Sequence, residues 1–176
     1  MLVTISGLPG SGTTTVSRLL VEHYGIDMIS AGDVFRGLAK EHGMTLAEFG
    51  RLAESDTSID TTIDQRQREM ACTLDNTILE GRLAGHMAQG ALTVWLKGPP
   101  EVRVGRIVER EGSSFDMRYQ ETMEREASEA LRYKEIHGID IDDLSIYDIM
   151  IDSSRWDQFQ IASILTVAID NVGGFA

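Results

Sequence analysis

Lysine is scarce in this chain of 176 residues. Only three of its 16 basic residues are lysine, namely Lys40, Lys97 and Lys134, and the rest are arginine. The 28 acidic residues outnumber the basic ones and give a net charge of −12. A field of this sign repels a nucleic-acid polymer, so DNA and RNA are excluded as expected partners unless a basic stripe overrides the field. Small anions can still bind wherever arginines cluster.

The chain also has little cysteine and no long apolar run. Cys72 is its only cysteine, which excludes a disulfide within the chain. A membrane-spanning helix needs about 20 apolar residues in succession, and no run approaches that length. We therefore expect a cytoplasmic protein with no membrane partner. Its length fits a single domain of residues 1–176, and we expect a monomer, with a homodimer as the alternative.

What the chain does have is a glycine-rich turn near its start. Residues 7–14 are Gly-Leu-Pro-Gly-Ser-Gly-Thr-Thr, between an apolar segment at 2–5 and a helical pattern at 14–24. This spacing and context are typical of a phosphate-binding loop, whose backbone N–H groups surround a phosphate at the positive end of a helix. The alternative is a strand-to-helix turn in which the glycines serve only packing and caps.

One residue of this turn departs from the usual pattern. Thr13 stands where such a loop normally carries lysine, whereas Thr14 stands where a Ser or Thr hydroxyl binds Mg²⁺. Threonine offers a hydroxyl and a backbone N–H but no charge to the outer phosphates. If the loop serves catalysis, the missing positive charge must come from elsewhere in the chain.

Short apolar segments alternate with helical patterns along the chain. The apolar segments are residues 2–5, 28–29, 77–79, 92–96 and 146–151. The alternation predicts an α/β fold, with a five-stranded parallel sheet flanked by helices. Two insertions, residues 33–75 and 112–145, interrupt a core of residues 1–32, 76–111 and 146–176. Ligands gather at the carboxyl ends of parallel strands, and we expect the insertions to act as flaps over that site.

Arginines form two stripes on predicted helices. The stripe in the second insertion has a seven-residue spacing and consists of Arg118, Arg125 and Arg132. The stripe in the preceding helix consists of Arg103, Arg106 and Arg110. Each set shares one helix face. For Arg103 and Arg118 we favour surface ion pairs with nearby glutamates. For Arg125 and Arg132 we favour a place over the site, where arginines can replace the charge that Thr13 lacks.

Polar residues follow the second and third predicted strands. Asp33 and Arg36 come after the second strand, and Glu80 and Arg82 follow the third directly. Arg82 is suited to a bidentate phosphate contact, and Glu80 to holding Mg²⁺-bound water. A salt bridge between Glu80 and Arg82 is the alternative. The first insertion adds four helix-spaced polar residues, Asp60, Asp64, Arg66 and Arg68. They fit a solvated face about as well as a pocket that reads a base edge.

Taken in order, several segments resemble the nucleoside monophosphate kinases, and most of all the archaeal type of cytidylate kinase. They are Gly-Ser-Gly-Thr-Thr-Thr at 10–15, Ser-Ala-Gly-Asp-Val-Phe-Arg at 30–36, Glu-Gly-Arg-Leu-Ala-Gly at 80–85, Arg-Tyr-Lys at 132–134 and Gly-Ile-Asp-Ile-Asp-Asp at 138–143. The resemblance covers residues 1–155. It implies a P-loop NTPase fold, with residues 33–75 as the NMP-binding insertion and residues 112–145 as the lid.

The same resemblance implies transfer of the γ-phosphoryl group of ATP to CMP or dCMP, with Mg²⁺ required. Another acceptor, such as AMP, UMP or shikimate, and a non-catalytic ATP-binding regulator are the alternatives. The residues expected to bind ATP are Gly7, Leu8, Pro9, Gly10, Ser11, Gly12, Thr13, Thr14 and Thr15, with Arg110 against the adenine. Those expected on the acceptor side are Asp33, Arg36, Asp60, Asp64, Arg66 and Arg82. The resemblance makes Arg125 and Arg132 catalytic residues of the lid. Thr14, from its slot in the loop, and Glu80, from its place after the third strand, are the residues expected at Mg²⁺.

Overall fold

The computed structural model of this protein describes residues 1–73, 76–88 and 90–174, with side chains throughout except at 46, 47, 51, 54, 57, 60, 67 and 70–73. The predicted five-stranded parallel sheet is confirmed. Its strands are β1 (Leu2–Gly7), β2 (Asp27–Ser30), β3 (Thr77–Glu80), β4 (Leu92–Lys97) and β5 (Ile149–Asp152). They lie in the order β2-β3-β1-β4-β5, and each neighbouring pair is parallel. All five carboxyl ends therefore lie at one edge of the sheet.

Helices connect the strands within the described ranges. They are α1 (Thr13–Tyr24), α2 (Ala31–Glu41), α3 (Leu46–Ser55), α4 (Thr57–Thr73), α5 (Ala84–Met87), α6 (Pro100–Glu111), α7 (Phe115–His137) and α8 (Gln158–Asn171). α1 begins one residue earlier than predicted, and its first helical hydrogen bond runs from Val16 N to Gly12 O over 3.0 Å. None of the described helices is both long and apolar enough to cross a membrane.

The last strand is shorter than the apolar segment that predicted it. β5 begins at Ile149, three residues after the segment begins at Ile146. Just before the strand, Asp148 Oδ2 accepts hydrogen bonds from Thr93 N (2.9 Å) and Thr93 Oγ1 (2.8 Å). A side chain thus ties this part of the chain to β4 before the regular strand pairing starts.

Helices cover both faces of the sheet, as the nearly continuous apolar character of the strands requires. On one face, α1 and α8 bury Leu20 and Leu165 against Ile5 of β1. On the other face, α5 packs with Leu79 of β3, and Ile139 at the end of the second insertion joins this cluster. The end of the second insertion is therefore anchored on the sheet.

The two insertions differ in construction. The first contains α3, α4 and most of α2, and these helices have a small core of their own that includes the fully buried Phe49. The second contains the 23-residue helix α7, which carries the predicted stripe of Arg118, Arg125 and Arg132 on one continuous helix. α7 ends at Gly138, whose φ of 68° is left-handed, as is common after the last turn of a helix.

Candidate active site

The glycine-rich turn joins β1 to α1 in a conformation that requires glycine. Gly10 and Gly12 have φ angles of 79° and 97°. A Cβ atom at Gly10 would lie 2.3 Å from the carbonyl oxygen of Arg103, and one at Gly7 would lie 2.5 Å from that of Leu96. No described side chain caps the N-terminus of α1. The N–H groups of its first turn thus remain available to an anion, as in a phosphate-binding loop.

Glu80 lies beside this loop and accepts three hydroxyl hydrogen bonds. Its Oε1 atom accepts from Thr13 Oγ1 at 2.6 Å and from Thr14 Oγ1 at 3.2 Å, and its Oε2 atom accepts from Ser30 Oγ at 2.7 Å. The strand order explains the meeting, because β3 lies between β1 and β2 and pairs Glu80 with both Ile5 and Ser30. The carboxylate is 7% exposed and is held by neutral donors.

Arg82, two residues farther along the chain, reaches α7 of the second insertion. It forms an ion pair with Glu129 of α7. The same carboxylate accepts a 2.9 Å hydrogen bond from Arg125 Nε, one turn earlier on α7. The Glu129 side chain is 9% exposed, whereas that of Arg125 is 66% exposed. Two cations from different parts of the chain therefore meet at one buried anion.

Arg132 completes a group of three guanidiniums with Arg82 and Arg125. Its Nη1 atom donates a 3.0 Å hydrogen bond to Ser128 Oγ. Burial by surrounding atoms, followed by the charges of Arg82 and Arg132, lowers the pKa of Arg125 from its usual value. Solvent reaches most of the Arg125 side chain and screens this effect, so the guanidinium stays charged. The structure thus brings Arg82 near Arg125 and Arg132, the two arginines of the second insertion that the sequence pattern places over the site.

The other arginines expected at the site have carboxylate partners. Arg36 pairs with Asp33 on the exposed start of α2. Arg66 forms a bidentate contact with Glu41, with both N–O distances at 3.0 Å. Arg110 is 68% exposed at the end of α6 and pairs with the adjacent Glu111. These residues lie outside the group around Glu129, and their ligand roles remain predictions.

Asp64 occupies a different environment from its helix neighbours. It lies 2.6 Å from Nε2 of His137, the last residue of α7, and both side chains are 10% exposed. It therefore links the first insertion, residues 33–75, to the end of α7, which fits neither a solvated face nor an open base-reading pocket in this structure. The side chain of Asp60 lies outside the described part of the chain.

The expectation of a surface ion pair at Arg103 is wrong. Arg103 does pair with a glutamate, Glu126 of α7, but its side chain is only 3% exposed. It also donates to the carbonyl oxygens of Gly98 (3.0 Å) and Pro9 (2.9 Å). Burial follows from position, because α6 leaves β4 next to β1 and its first turns lie between the glycine loop and α7. At Arg118, by contrast, the ion-pair expectation is confirmed by contacts with Glu111 and Glu121.

Arg106 is a second residue whose position the sequence did not reveal. Its guanidinium donates to Gly10 O (3.2 Å), to Ser11 O (3.5 Å) and to Ser153 Oγ (2.9 Å). The signal for both residues was present in the sequence: Arg103 and Arg106 are three apart on the helix that follows β4. Only the strand order places that helix face against the loop.

Comparisons with known proteins agree with this architecture. A model of the cytidylate kinase-like family matches residues 2–155. The cytidylate kinase of Methanococcoides burtonii is 73% identical over 175 residues, which cover 99% of this chain and 100% of that protein. That of Methanosarcina barkeri is 57% identical over 99% of each chain.

A solved structure supports the fold at much lower sequence identity. Shikimate kinase from Bacteroides thetaiotaomicron has a TM-score of 0.66 and 15% identity, over 97% of this chain and 98% of that one. This likeness confirms the predicted P-loop NTPase fold. The resemblance drawn from the motifs is also confirmed, and the chain belongs to the cytidylate kinase-like family.

Proposed function

We propose that this chain is an ATP-dependent kinase that phosphorylates CMP or dCMP and releases ADP with CDP or dCDP. Its membership of the cytidylate kinase-like family supports the activity and the acceptor. One geometric observation carries the assignment of the site. Arg82, which lies two residues after the Glu80 carboxylate that binds Thr13, converges with Arg125 on Glu129. Cations from the sheet edge and from the lid thus gather beside the phosphate loop.

The reaction joins two anions and needs no covalent enzyme intermediate. An oxygen of the acceptor phosphate forms a bond to the γ-phosphorus of ATP as the bond from that phosphorus to the leaving ADP oxygen breaks. Catalysis then depends on positioning and on stabilising charge that spreads over the equatorial oxygens. In this proposal the loop of residues 7–15 holds the ATP phosphates through its free backbone N–H groups, and Arg125 and Arg132 face the transferred group.

The acceptor phosphate needs its own cations. We assign these to Arg36 and Arg82, which follow β2 and β3 at the same edge of the sheet. Each has a carboxylate partner, Asp33 for Arg36 and Glu129 for Arg82. Binding of the phosphate exchanges these contacts for phosphate oxygens, which guanidiniums bind in the same bidentate manner. Closure of the lid excludes water and limits hydrolysis of ATP.

The oxygen atoms at the loop suit Mg²⁺. Thr14 Oγ1 and Glu80 Oε1 are 3.2 Å apart, and both are hard ligands of the kind that Mg²⁺ prefers. Kinase Mg²⁺ is usually held by one or two carboxylates together with substrate phosphates and water, so a cage of several acidic residues is not required. We propose that Thr14 binds the ion directly and that Glu80 binds one of its waters. When bound, the ion neutralises charge on the ATP phosphates.

Asp64 and Arg66 are the residues that we propose to contact the base of the acceptor. Asp64 and Arg66 lie on α4, on the acceptor side of the sheet edge, and each is already paired, with His137 and Glu41 respectively. Reading cytosine requires that at least one of these pairs opens when the acceptor binds.

We also propose that the protein acts in the cytoplasm, where nucleotides are made and used, as a monomer or a homodimer.

A panel of acceptors tests the proposal directly. ADP formation is measured with Mg-ATP and, in turn, CMP, dCMP, UMP, AMP and shikimate at several salt concentrations. We expect CMP and dCMP to be the best acceptors, with kcat/KM at least about tenfold above the others, since a site built to hydrogen-bond one base rejects another strongly. Equal stimulation by AMP or shikimate would contradict the proposed acceptor. Binding of ATP with no acceptor-dependent turnover would instead favour a regulatory role.

A further inference from the structure

Two arginines of α6 hold the outer side of the phosphate loop. Arg103 donates to Pro9 O at 2.9 Å, and Arg106 donates to Gly10 O at 3.2 Å. A longer contact of 3.5 Å joins Arg106 to Ser11 O. Three successive loop carbonyls therefore face guanidinium groups. Thr13 supplies no positive charge to the loop. Arg103 and Arg106 do place positive charge against it, on the side that faces α6.

Peptide geometry connects these contacts to the phosphate-facing side. The carbonyl of Pro9 belongs to the same peptide unit as the N–H of Gly10, and the carbonyl of Ser11 to that of Gly12. A cation bound to a carbonyl polarises the peptide and makes its N–H a stronger donor. The N–H of Ser11 is engaged within the loop, where it donates to Leu8 O at 3.1 Å. Arg106 thus strengthens that internal turn through Gly10 O.

Burial keeps the charge of Arg103 close to the loop. A buried cation is tolerated only when it is paired and hydrogen-bonded, and Arg103 has Glu126 and two carbonyl partners. Arg106 is held on its other side by Ser153, through both Oγ and the backbone oxygen.

Glu126 connects this arrangement to the lid. It follows Arg125 in α7 and lies one turn before Glu129. The Arg103–Glu126 pair fixes the rotation of α7 about its axis relative to the loop, and with it the direction in which Arg125 points. The loop and the lid arginine are thus linked through one side-chain contact.

We propose that Arg103 and Arg106 are positioning residues that pre-form and polarise the ATP-phosphate loop, and that Glu126 couples the loop to the lid. They supply part of the electrostatic stabilisation that a lysine at position 13 normally gives. This inference rests on the proposed kinase function. It adds Arg103 and Arg106, on the outer side of the loop, to Arg125 and Arg132 as sources of positive charge.

The experiment compares Arg106→Gln, Arg106→Lys and Glu126→Gln with the wild-type chain. Arg118→Gln serves as the matched control, because it also removes one guanidinium in an ion pair near the start of the lid. Binding of Mg-ATP is measured by calorimetry without acceptor, and KM for ATP, KM for CMP and kcat are measured by ADP release. Thermal unfolding of each variant shows whether it is folded.

We expect Arg106→Gln to weaken ATP binding and raise KM for ATP roughly tenfold, the loss typical of a charge-assisted contact, with KM for CMP unchanged. Arg106→Lys should recover part of this loss, since lysine keeps the charge but lacks the planar fork with which Arg106 reaches both the loop carbonyls and Ser153. Glu126→Gln should lower kcat several-fold while ATP binding is preserved. Arg118→Gln should match the wild type.

Equal changes in KM for ATP and CMP, or none, in folded Arg106 variants would overturn the inference and indicate a purely structural role. If Arg106→Gln does not fold, the lysine and Glu126 variants decide the question by the same criteria. A wild-type chain that binds no ATP would refute the proposed function itself. The two failures are distinguishable. When only the inference fails, the wild type is active and the Arg106 variants show no selective change in KM for ATP.

Discussion

Thr13 donates a 2.6 Å hydrogen bond to Glu80, so the residue in the lysine position of the phosphate loop is bound to the carboxylate at the end of β3. Thr14 donates to the same oxygen at 3.2 Å. A lysine at position 13 would bring an ammonium group to a carboxylate that is 7% exposed, and the two would pair. Threonine instead gives Glu80 a neutral hydroxyl donor, which is easier to exchange than an ammonium group when ATP and its metal ion bind.

Substitution at position 13 tests this relationship. We expect Thr13→Lys to lower kcat roughly tenfold, because the new ammonium ion occupies the carboxylate that we assign to Mg²⁺-bound water. Thr13→Ser keeps the hydroxyl and should stay close to the wild-type rate. Both are measured as ADP formation at saturating Mg-ATP and CMP. A Thr13→Lys enzyme faster than the wild type would show that the lid and α6 do not supply enough charge.

The lid arginines should act on the rate rather than on binding. We expect Arg125→Ala and Arg132→Ala each to lower kcat by roughly 10²-fold or more, with a smaller change in KM for ATP, since arginine stabilises charge that develops in the transition state. Arg118→Ala, on the same stripe but in surface ion pairs, should retain nearly full activity. A near-normal rate for Arg132→Ala would remove that residue from the mechanism.

Glu129 should compete with the substrate. Its carboxylate occupies Arg82 and Arg125, the cations proposed to bind phosphate oxygens. Glu129→Gln removes this competing charge, so we expect KM for CMP to fall several-fold. The unfolding temperature should also fall, because the largely buried guanidinium of Arg82 loses its charged partner. CMP titrations and thermal unfolding measure the two effects. An increase in KM for CMP would show that Glu129 positions the arginines rather than masking them.

Tyr24 gives the fold a dependence on alkaline pH. Burial, followed by its hydrogen bond to Asp170 and the charge of that residue, raises the pKa of Tyr24 to about 12. The usual value for tyrosine is near 10, so the folded state favours the neutral phenol. The stabilisation is therefore complete below about pH 10 and is lost as pH rises through about 12.

Denaturant unfolding of Tyr24→Phe and wild type between pH 8 and pH 11.5 checks this. We expect the wild type to be the more stable protein at pH 8, with the difference shrinking above about pH 10. A difference that stays constant across this range would mean that the phenol does not titrate differently in the folded chain.

Much of the fold was accessible to sequence reasoning because it depends on local patterns. Residues 2–5 and 92–96 are short apolar runs, and the glycines of the loop have no function in a regular strand or helix. The start of β5 was less accessible, because Asp148 ties the chain to Thr93 through its side chain where the apolar run alone suggests a strand.

The contacts that organise the site were not accessible, because they join residues far apart in the chain. Arg82 and Glu129 come from the end of β3 and the middle of α7, and Asp64 and His137 from two different insertions. Helix periodicity placed Arg103 on a face with Arg106 but could not say what covers that face. Its burial depends on α7 and the loop packing against α6.

The close approach of Gly10 to Arg103 has a consequence for which substitutions this chain tolerates. A Cβ at Gly10 would meet the backbone of α6 at 2.3 Å, and backbone atoms cannot turn aside as a side chain can. Position 13, by contrast, presents a side chain to other side chains. In a library of random variants, position 10 should therefore stay glycine in every active clone, whereas position 13 should accept serine. Substitutions in this loop are therefore tolerated where a side chain contacts other side chains, and excluded where one backbone segment packs directly against another.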